Sequence, residues 1–286
     1  MPELPEVETI RRHLAPRLEG RVLRELEVLD ERWCSPLAGP ELAAAVGGRR
    51  VDALRRRGKY LIWELDDDVH LMMHLRMTGA LLLDPPELPR HRRVRFAFDD
   101  GQQLFFDDPR RFGTGELALG SAARDEFFAG RLGVEPFSPE FTSAHLYALT
   151  RVSRAPIKAF LLDQRKLAGV GNIYADEALF RAGIHPLRPA GRLTRRHVAA
   201  LRDGVIASLE AGLAAKGASI DDFRDPDGVK GSFQHRFLIH LREGEPCLVC
   251  ERPVRKLRAA GRGTYVCERC QPRPRLRRGV QVGQAA

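Results

Sequence analysis

The chain has 286 residues, more than one average domain, so two or three compact units are expected. Lysine and arginine number 47 against 38 acidic residues, and the resulting formal charge of +9 favours a polyanionic partner such as nucleic acid. No run of about 18 apolar residues is present, which argues against a transmembrane helix. The acidic start lacks the basic and apolar regions of a signal peptide. We therefore expect a cytoplasmic protein without a membrane partner.

The first six residues place a small residue, Pro2, directly after the initiator methionine. Removal of Met1 would leave Pro2 with a free secondary amine, and an α-amine with a pKa of about 7.7–8.0 is partly uncharged near neutral pH. Such an amine is suited to Schiff-base chemistry. Two carboxylates, Glu3 and Glu6, are close to it in sequence. On these six residues alone, an ordinary amino terminus is the simpler interpretation.

Residues 5–18 predict a helix, because apolar residues from Val7 to Leu18 recur at spacings of three and four. Its positive end would lie beside Pro2 and would lower the pKa of the amine. Between residues 49 and 119 the apolar period becomes two, and Asp99-Asp100-Gly101 predicts a hairpin turn. Several short strands of this kind indicate an antiparallel sandwich or barrel.

After a loop at residues 130–142 the pattern is helical. Asn172 is expected to cap one helix and Thr194 the next, and residues 217–231 form a loop long enough to be a lid or a binding loop. We expect the following organisation: residues 2–130 a β-rich domain, 131–150 a linker, 151–236 a helical domain, 237–271 a segment that contains four cysteines and 272–286 a disordered tail.

Four of the five cysteines form two CxxC pairs, Cys247 with Cys250 and Cys267 with Cys270, separated by 16 residues. In a reducing compartment this spacing indicates a tetrahedral zinc site, with room for a β-hairpin between the pairs. Four thiolates leave no open position for water or substrate, so we expect one structural zinc ion. The remaining Cys34 is expected to be an inert thiol.

Four motifs occur in one order along nearly the whole chain: the N-terminal Met-Pro-Glu-Leu-Pro-Glu-Val-Glu-Thr, Asp108-Pro-Arg-Arg-Phe-Gly113, Gly169-Val-Gly-Asn-Ile-Tyr-Ala175 and the four-cysteine finger. Together they closely resemble bacterial formamidopyrimidine-DNA glycosylase, which removes 8-oxoguanine and ring-opened purines. The resemblance implies an α+β multi-domain protein. The catalytic domain, residues 2–130, would be an antiparallel β-sandwich with an N-terminal helix. A DNA-binding helix–two-turns–helix domain, residues 151–236, and a four-cysteine zinc finger, residues 237–271, would follow it. Its partner would be damaged double-stranded DNA, bound by a monomer.

The resemblance also implies a mechanism. Pro2 would attack C1′ of the damaged nucleotide, and the resulting Schiff base would drive β- and δ-elimination of both flanking phosphates. Glu3 would be the general acid/base, and Glu6 would support the amino terminus or simply complement the helix dipole. Lys59 would contact phosphate and assist elimination, and Arg262 would act in phosphate binding and δ-elimination. Only six of the 47 basic residues are lysines, so a retained Lys59 is consistent with proton transfer, which a guanidinium cannot perform.

An extruded base leaves a void in the duplex that must be filled. Met77, Arg110 and Phe112 match the family's void-filling residues, although core packing would be the better explanation for the Met and the Phe if Arg110 were absent. Asn172 would bind phosphate at a helix N-terminus. Further matches hold the DNA backbone in the family: His74, His91, Arg154 and Lys256.

Two residues depart from the family pattern. Arg76 stands where relatives usually have Gly, next to Met77, and His240 replaces a usual phosphate-binding Tyr. Both departures bear on base preference more than on the chemistry.

Three other functions fit part of the sequence. An endonuclease VIII-like glycosylase would prefer oxidised pyrimidines, but that branch usually starts Met-Pro-Glu-Gly-Pro-Glu. A non-catalytic zinc-finger protein that senses damage would leave Pro2, Glu3 and Lys59 without a role, and its behaviour would not change in a Pro2→Gly variant. A zinc-ribbon RNA-associated factor explains the charge and the cysteines but not the amino terminus.

Overall fold

The computed structural model describes residues 2–220 and 223–273. The expected disorder of the tail concerns residues that lie almost entirely outside these ranges. The N-terminal part contains the helices α1 and α2 and eight strands. Their bounds are α1 (Leu4–Leu18), β1 (Val22–Val28), α2 (Gly39–Val46), β2 (Arg49–Arg57), β3 (Tyr60–Leu65), β4 (Val69–His74), β5 (Ala80–Leu83), β6 (Arg92–Phe98), β7 (Gln103–Asp107) and β8 (Thr114–Leu119).

The eight strands form one open antiparallel sheet in the order β5-β7-β6-β1-β2-β3-β4-β8. Its two halves pack face to face, since the rings of Trp63 on β3 and Phe96 on β6 lie 4.9 Å apart within one buried core. Each large apolar side chain buried here contributes about 1.5–3 kcal/mol. The turn at Asp99-Asp100-Gly101 joins β6 to β7 as expected. The predicted antiparallel sandwich is confirmed.

The rest of the described chain is helical until a final hairpin. Its elements are α3 (Ser121–Phe128), α4 (Ser143–Arg151), α5 (Ile157–Leu162), α6 (Asn172–Arg181), α7 (Arg195–Ala214), β9 (Arg255–Ala259) and β10 (Arg262–Val266). Residues 131–150, expected to be a linker, include α4, whose Leu146 is buried in the helical core. Among the described residues, no helix is both long and apolar enough to cross a membrane.

Helix α1 connects the two parts of the molecule. Leu4 is buried in the helical core, whereas Val7, Ile10 and Leu14 are buried in the sandwich core. The start of α1 is therefore fixed by both cores at once.

The two expected helix caps have different outcomes. Thr194 caps α7, since its Oγ1 accepts the N–H of His197 at 3.3 Å. The expectation that Asn172 caps α6 is wrong. Asn172 is the first residue of α6, after Gly171, and its side chain donates to the carbonyl of Gly263 at 3.2 Å. Instead, a carboxylate from the N-terminal part of the chain accepts N–H groups at the start of α6.

Candidate active site

Glu3 supplies that capping carboxylate. Its Oε2 accepts the N–H of Gly171 at 2.6 Å, and its Oε1 accepts the N–H of Ile173 at 3.0 Å. The first N–H groups of a helix have no partner within the helix, and the positive helix end favours an anion. Glu3 is 2% exposed and Pro2 is buried beside it. The amino terminus of α1 and the amino terminus of α6 therefore meet at one carboxylate.

Lys59, between β2 and β3, lies at the same junction and is 4% exposed. A Cβ placed on Gly171 would lie 2.6 Å from Oε1 of Glu3 and 2.7 Å from Nζ of Lys59. Burial lowers the pKa of Lys59 below its usual 10.5; the carboxylate of Glu3 opposes this shift and the guanidinium of Arg262 adds to it. A larger share of Lys59 is therefore uncharged than of an exposed lysine.

Glu6 joins three segments through one buried carboxylate. It accepts hydrogen bonds from the N–H of Glu3 at 2.8 Å, the hydroxyl of Tyr174 at 2.7 Å and the N–H of Ala218 at 2.8 Å. Burial, followed by the charge of Glu3, raises the pKa of Glu6, and the three donors oppose that shift. Glu6 thus links the start of α1 to α6 and to the loop after α7.

A cavity of about 170 Å³ opens over this junction. Residues from both parts of the molecule line it: Pro2, Glu3, Met77, Thr78, Gly79, Asn172, Ile173, Ala218, Ile220, Phe223, His240 and Arg262. Several of the residues singled out in the sequence therefore share one cavity, and Lys59 adjoins it through Glu3. The loop after α7, expected from its sequence to be a lid or a binding loop, forms one wall.

The zinc-finger hairpin is attached to the cavity by residues that the sequence did not single out. Lys158 is fully buried and donates to Oγ1 of Thr264 at 2.8 Å and to the carbonyl of Gly263 at 3.2 Å, next to Arg262. Its ammonium also lies 2.7 Å from Oδ1 of Asp176. The only signal for Lys158 in the sequence was the scarcity of lysine.

Asp176 also orients His240. Its Oδ2 lies 2.8 Å from Nδ1 of His240, which lines the cavity. Glu177, fully buried on the same helix, accepts the N–H groups of Leu238, Ile239 and His240. Helix α6 thus holds residues 238–240, which lead into the finger, as well as the carboxylate of Glu3.

Arg110 and Phe112 are exposed in the turn between β7 and β8, and the guanidinium lies 4.8 Å from the centre of the Phe112 ring. A structural role in the core is therefore excluded for Phe112, which is 50% exposed. Met77 is half-buried and lines the cavity.

The candidate DNA-backbone residues are more dispersed. His74 is buried, with Nδ1 accepting the N–H of Arg76 at 2.9 Å, and burial lowers the pKa of His74 to about 3. Its proton is therefore on Nε2, which can only donate. His91 is half-buried, whereas Arg154 and Lys256 are exposed, and none of these three lines the cavity.

Arg76 has φ of +55°, a left-handed conformation that favours glycine. A glycine would adopt this conformation without the strain that a side chain adds.

The four cysteines of the finger bring their sulfur atoms within 4.8 Å of one another. The Cys247–Cys270 and Cys250–Cys267 sulfur pairs lie 3.9 and 3.4 Å apart. Tetrahedral zinc with Zn–S bonds of about 2.3 Å requires sulfur separations of about 3.8 Å. The donor set and its spacing fit one structural zinc ion, which would hold the hairpin that carries Arg262 and Lys256.

This architecture defines the class of protein: a β-sandwich and a helical domain that meet at a buried amino terminus, with a four-cysteine finger packed on the helical domain. Family models match the chain as "Formamidopyrimidine-DNA glycosylase N-terminal domain" over residues 1–115, "Formamidopyrimidine-DNA glycosylase H2TH domain" over 132–224 and "Zinc finger found in FPG and IleRS" over 244–273. The chain belongs to the formamidopyrimidine-DNA glycosylase family, and the resemblance and the zinc prediction are confirmed.

Relatives align along nearly their whole length. The formamidopyrimidine-DNA glycosylase of Paracoccus denitrificans is 45% identical over 285 residues, covering 95% of this chain and all of the relative. The MutM (Fpg) protein of Thermus thermophilus superimposes with a TM-score of 0.86 at 40% identity, over 96% of this chain and all of that one. Lactococcus lactis Fpg in complex with abasic-site DNA gives a TM-score of 0.88 at 35% identity, over 95% and 100%.

Proposed function

We propose that this protein is a DNA glycosylase and abasic-site lyase of base-excision repair that removes 8-oxoguanine and formamidopyrimidines from double-stranded DNA. The observation that carries the proposal is the convergence of Pro2, Glu3 and Lys59 where the two parts of the molecule meet. Family membership supports the same reaction. A protein that only senses damage has no need of a buried lysine beside a carboxylate and an amino-terminal proline.

The first step is nucleophilic substitution at C1′. With Met1 removed, the secondary amine of Pro2 forms a bond to C1′ as the bond from C1′ to the damaged base breaks. The amine proton passes to the carboxylate of Glu3, and the base leaves as an anion that takes a proton from water. The bond from C1′ to the ring oxygen O4′ then opens, and Glu3 gives the proton it received to O4′. The product is a Schiff base on Pro2. The assignment of Glu3 as the proton donor to O4′ is supported by its position, because Glu3 lines the same cavity as Pro2.

The second step is elimination. The Schiff base acidifies the C2′ hydrogen; loss of that proton breaks the C3′–O bond and releases the 3′ phosphate, and a second elimination releases the 5′ phosphate. We assign proton transfer to Lys59, because burial lowers its pKa and so raises its neutral fraction. Arg262, exposed on β10 and lining the cavity, is assigned to the leaving phosphate.

DNA binding is assigned to the remaining candidates. Met77, Arg110 and Phe112 fill the void left by the extruded base, with support from the exposure of Arg110 and Phe112. The neutral ring of His74 offers one N–H donor to a phosphate. The other proposed backbone contacts are His91, Arg154, Asn172 and Lys256. Zinc supplies no chemistry to the reaction and holds the finger hairpin.

One chain supplies the amine, the carboxylate, the lysine and the finger arginine to one site, so we propose that it acts as a monomer. We also place it in the cytoplasm, on the nucleoid. The rival endonuclease VIII-like specificity differs only in the base, so the comparison of 8-oxoguanine with oxidised pyrimidines decides it.

The proposed role of Pro2 is tested by a variant in which the free α-amine is shifted by one residue and the other residues of the site are unchanged. One alanine inserted between Met1 and Pro2 turns Pro2 into an amide and shifts the free amine by one residue. We expect the variant to lose base release and strand cleavage on 8-oxoguanine DNA while retaining affinity for DNA that carries an uncleavable abasic analogue. Unchanged cleavage by the variant would rule out Pro2 as the nucleophile.

A further inference from the structure

Asp108 is a fully buried carboxylate directly after β7, and four donors converge on it. Its Oδ1 accepts the hydroxyl of Thr78 and the N–H of Arg110, the latter at 3.2 Å. Its Oδ2 accepts the N–H groups of Phe112 and Gly113, each at 2.8 Å. A carboxylate is the one side chain that accepts on both oxygens without donating.

These hydrogen bonds connect two loops. Thr78 follows Met77 in the loop between β4 and β5, whereas Arg110 and Phe112 belong to the loop between β7 and β8. The loops approach closely at a pair of glycines that both pack against the Phe106 ring. A Cβ on Gly79 would lie 3.0 Å from Cζ of Phe106, and a Cβ on Gly113 would meet the same ring. The two loops therefore share one buried anchor.

The intervening Arg111 is turned away from these side chains. Its φ is +58°, and its guanidinium binds the carboxylate of Asp30 through two hydrogen bonds of 2.6 and 2.7 Å. Arg111 also closes the turn by donating its N–H to the carbonyl of Asp108 at 3.3 Å. The neighbours Arg110 and Phe112 are left exposed on either side of this fixed residue.

We propose that Asp108 is a positioning residue that sets the spacing of Met77, Arg110 and Phe112, and thereby controls extrusion of the damaged base and discrimination of the base opposite it. This inference rests on the proposed function. Asp108 does not itself line the cavity, and its one hydrogen bond to a residue that does is the bond from Thr78. It therefore acts on the site through the two loops. An amide in its place would turn an NH₂ group toward N–H or O–H donors and leave buried donors without acceptors.

The experiment compares two substrates with Asp108→Asn. Duplex DNA with 8-oxoguanine opposite cytosine requires extrusion and an opposite base, whereas single-stranded DNA with a preformed abasic site requires neither. We expect base release from the duplex to fall about 100-fold, since small misplacements have effects of that order. The preference for cytosine over adenine opposite the lesion should shrink, and Schiff-base trapping on the single strand should stay within about twofold.

Two further variants separate positioning from folding. Thr78→Val removes one donor and leaves the carboxylate. Base release from the duplex and the preference for cytosine over adenine should therefore both fall, by less than in Asp108→Asn. This variant replaces Asp108→Asn in the test if Asp108→Asn does not fold. Glu177→Gln is the matched control, because Glu177 is also fully buried and accepts three backbone N–H groups, but it does so beside the finger. Its ratio of cytosine to adenine preference should not change.

Equal losses on both substrates would show that Asp108 only supports the fold, and unchanged activity on both would show that the loops are positioned without it; either result overturns the inference. Failure of the proposed function gives a different result, because the wild-type protein itself would then trap neither substrate.

Discussion

The carboxylate of Glu3 and the backbone N–H of Gly171 meet at 2.6 Å, although 168 residues separate them in the chain. This contact places the charge of Glu3 at the start of α6 and beside Lys59, and it sets the distance between the two parts of the molecule at the site of the chemistry. The position of Pro2 depends on it, since Pro2 directly precedes Glu3.

Gly171→Ala tests this relationship. The added Cβ would lie 2.6 Å from Oε1 of Glu3 and 2.7 Å from Nζ of Lys59, so both groups must move. We expect base release to fall about 100-fold with the fold retained, measured in single-turnover assays. Gly101→Ala is the control: it strains a turn with φ of +91° that has open space around it, and it should lower stability without changing the rate per folded molecule. Equal rates for Gly171→Ala and wild type would contradict the close packing.

Much of the site could be predicted because its signals are local. The amino-terminal residues, the two CxxC pairs and the alternation in β6 each lie within a few consecutive residues, and the structure places Pro2, Glu3 and Arg262 on one cavity. The strand pairing and the hairpin at Gly101 follow from alternation and turn chemistry in the same way.

The remainder depends on contacts between distant segments. Asparagine is a common N-cap residue, but α6 already begins at Asn172, after Gly171, and Glu3 accepts the N–H groups of Gly171 and Ile173 at that helix start. Lys158 and Asp176 carry no local pattern, and their pairing appears only when α5 and α6 pack together. The same reason hides the role of Asp108, whose partner Thr78 lies 30 residues earlier.

His74 predicts a pH-dependent stability. Its pKa is about 3 in the folded protein, because burial and the charges of Arg76 and Lys59 disfavour the imidazolium, against 6.5 for an ordinary histidine. Below pH 6.5 the unfolded chain therefore binds a proton that the folded chain does not, and stability is lost as the pH falls from about 6.5 toward 3. At about pH 5 the loss from this group is about 2 kcal/mol.

His74→Gln should remove that loss. We compare the unfolding free energies of the variant and the wild type by urea titration at two pH values. Between about pH 7 and about pH 5, the difference should shift by about 2 kcal/mol in favour of the variant. His145, exposed on α4, supplies the control, and His145→Gln should follow the wild-type curve. Parallel curves for His74→Gln and wild type would mean that the buried ring is protonated more easily than its surroundings indicate.

Arg76→Gly should stabilise the protein. The residue holds a left-handed φ of +55°, which costs a side chain about 1–2 kcal/mol relative to glycine, and the hydrogen bond from its N–H to His74 is kept. We expect a higher urea midpoint for Arg76→Gly, and no gain for Arg76→Ala, which loses the same charge but keeps the strain. A gain in both variants would assign the effect to charge rather than to the backbone.

Loss of zinc should weaken DNA binding while the β-sandwich stays folded. Cys250→Ser removes one ligand, and the finger core of Ile239, Val254 and Tyr265 packs around those ligands rather than within the sandwich core. We expect loss of bound zinc and of most affinity for abasic-analogue DNA, with the main unfolding transition retained. Cys34→Ser, in the sandwich core, should keep the zinc and the affinity. Undiminished binding by zinc-free protein would separate the finger from DNA recognition.

The central claim is a covalent imine at the amino terminus, and borohydride trapping tests it most directly. Zinc-loaded protein is mixed with duplex DNA carrying 8-oxoguanine opposite cytosine, reduced with borohydride and analysed by peptide mass spectrometry. We expect a covalent adduct on Pro2 in a chain that has lost Met1. Tight binding without an adduct, on this lesion, on oxidised pyrimidines and on abasic sites alike, or an adduct on Lys59 instead, would contradict the claim.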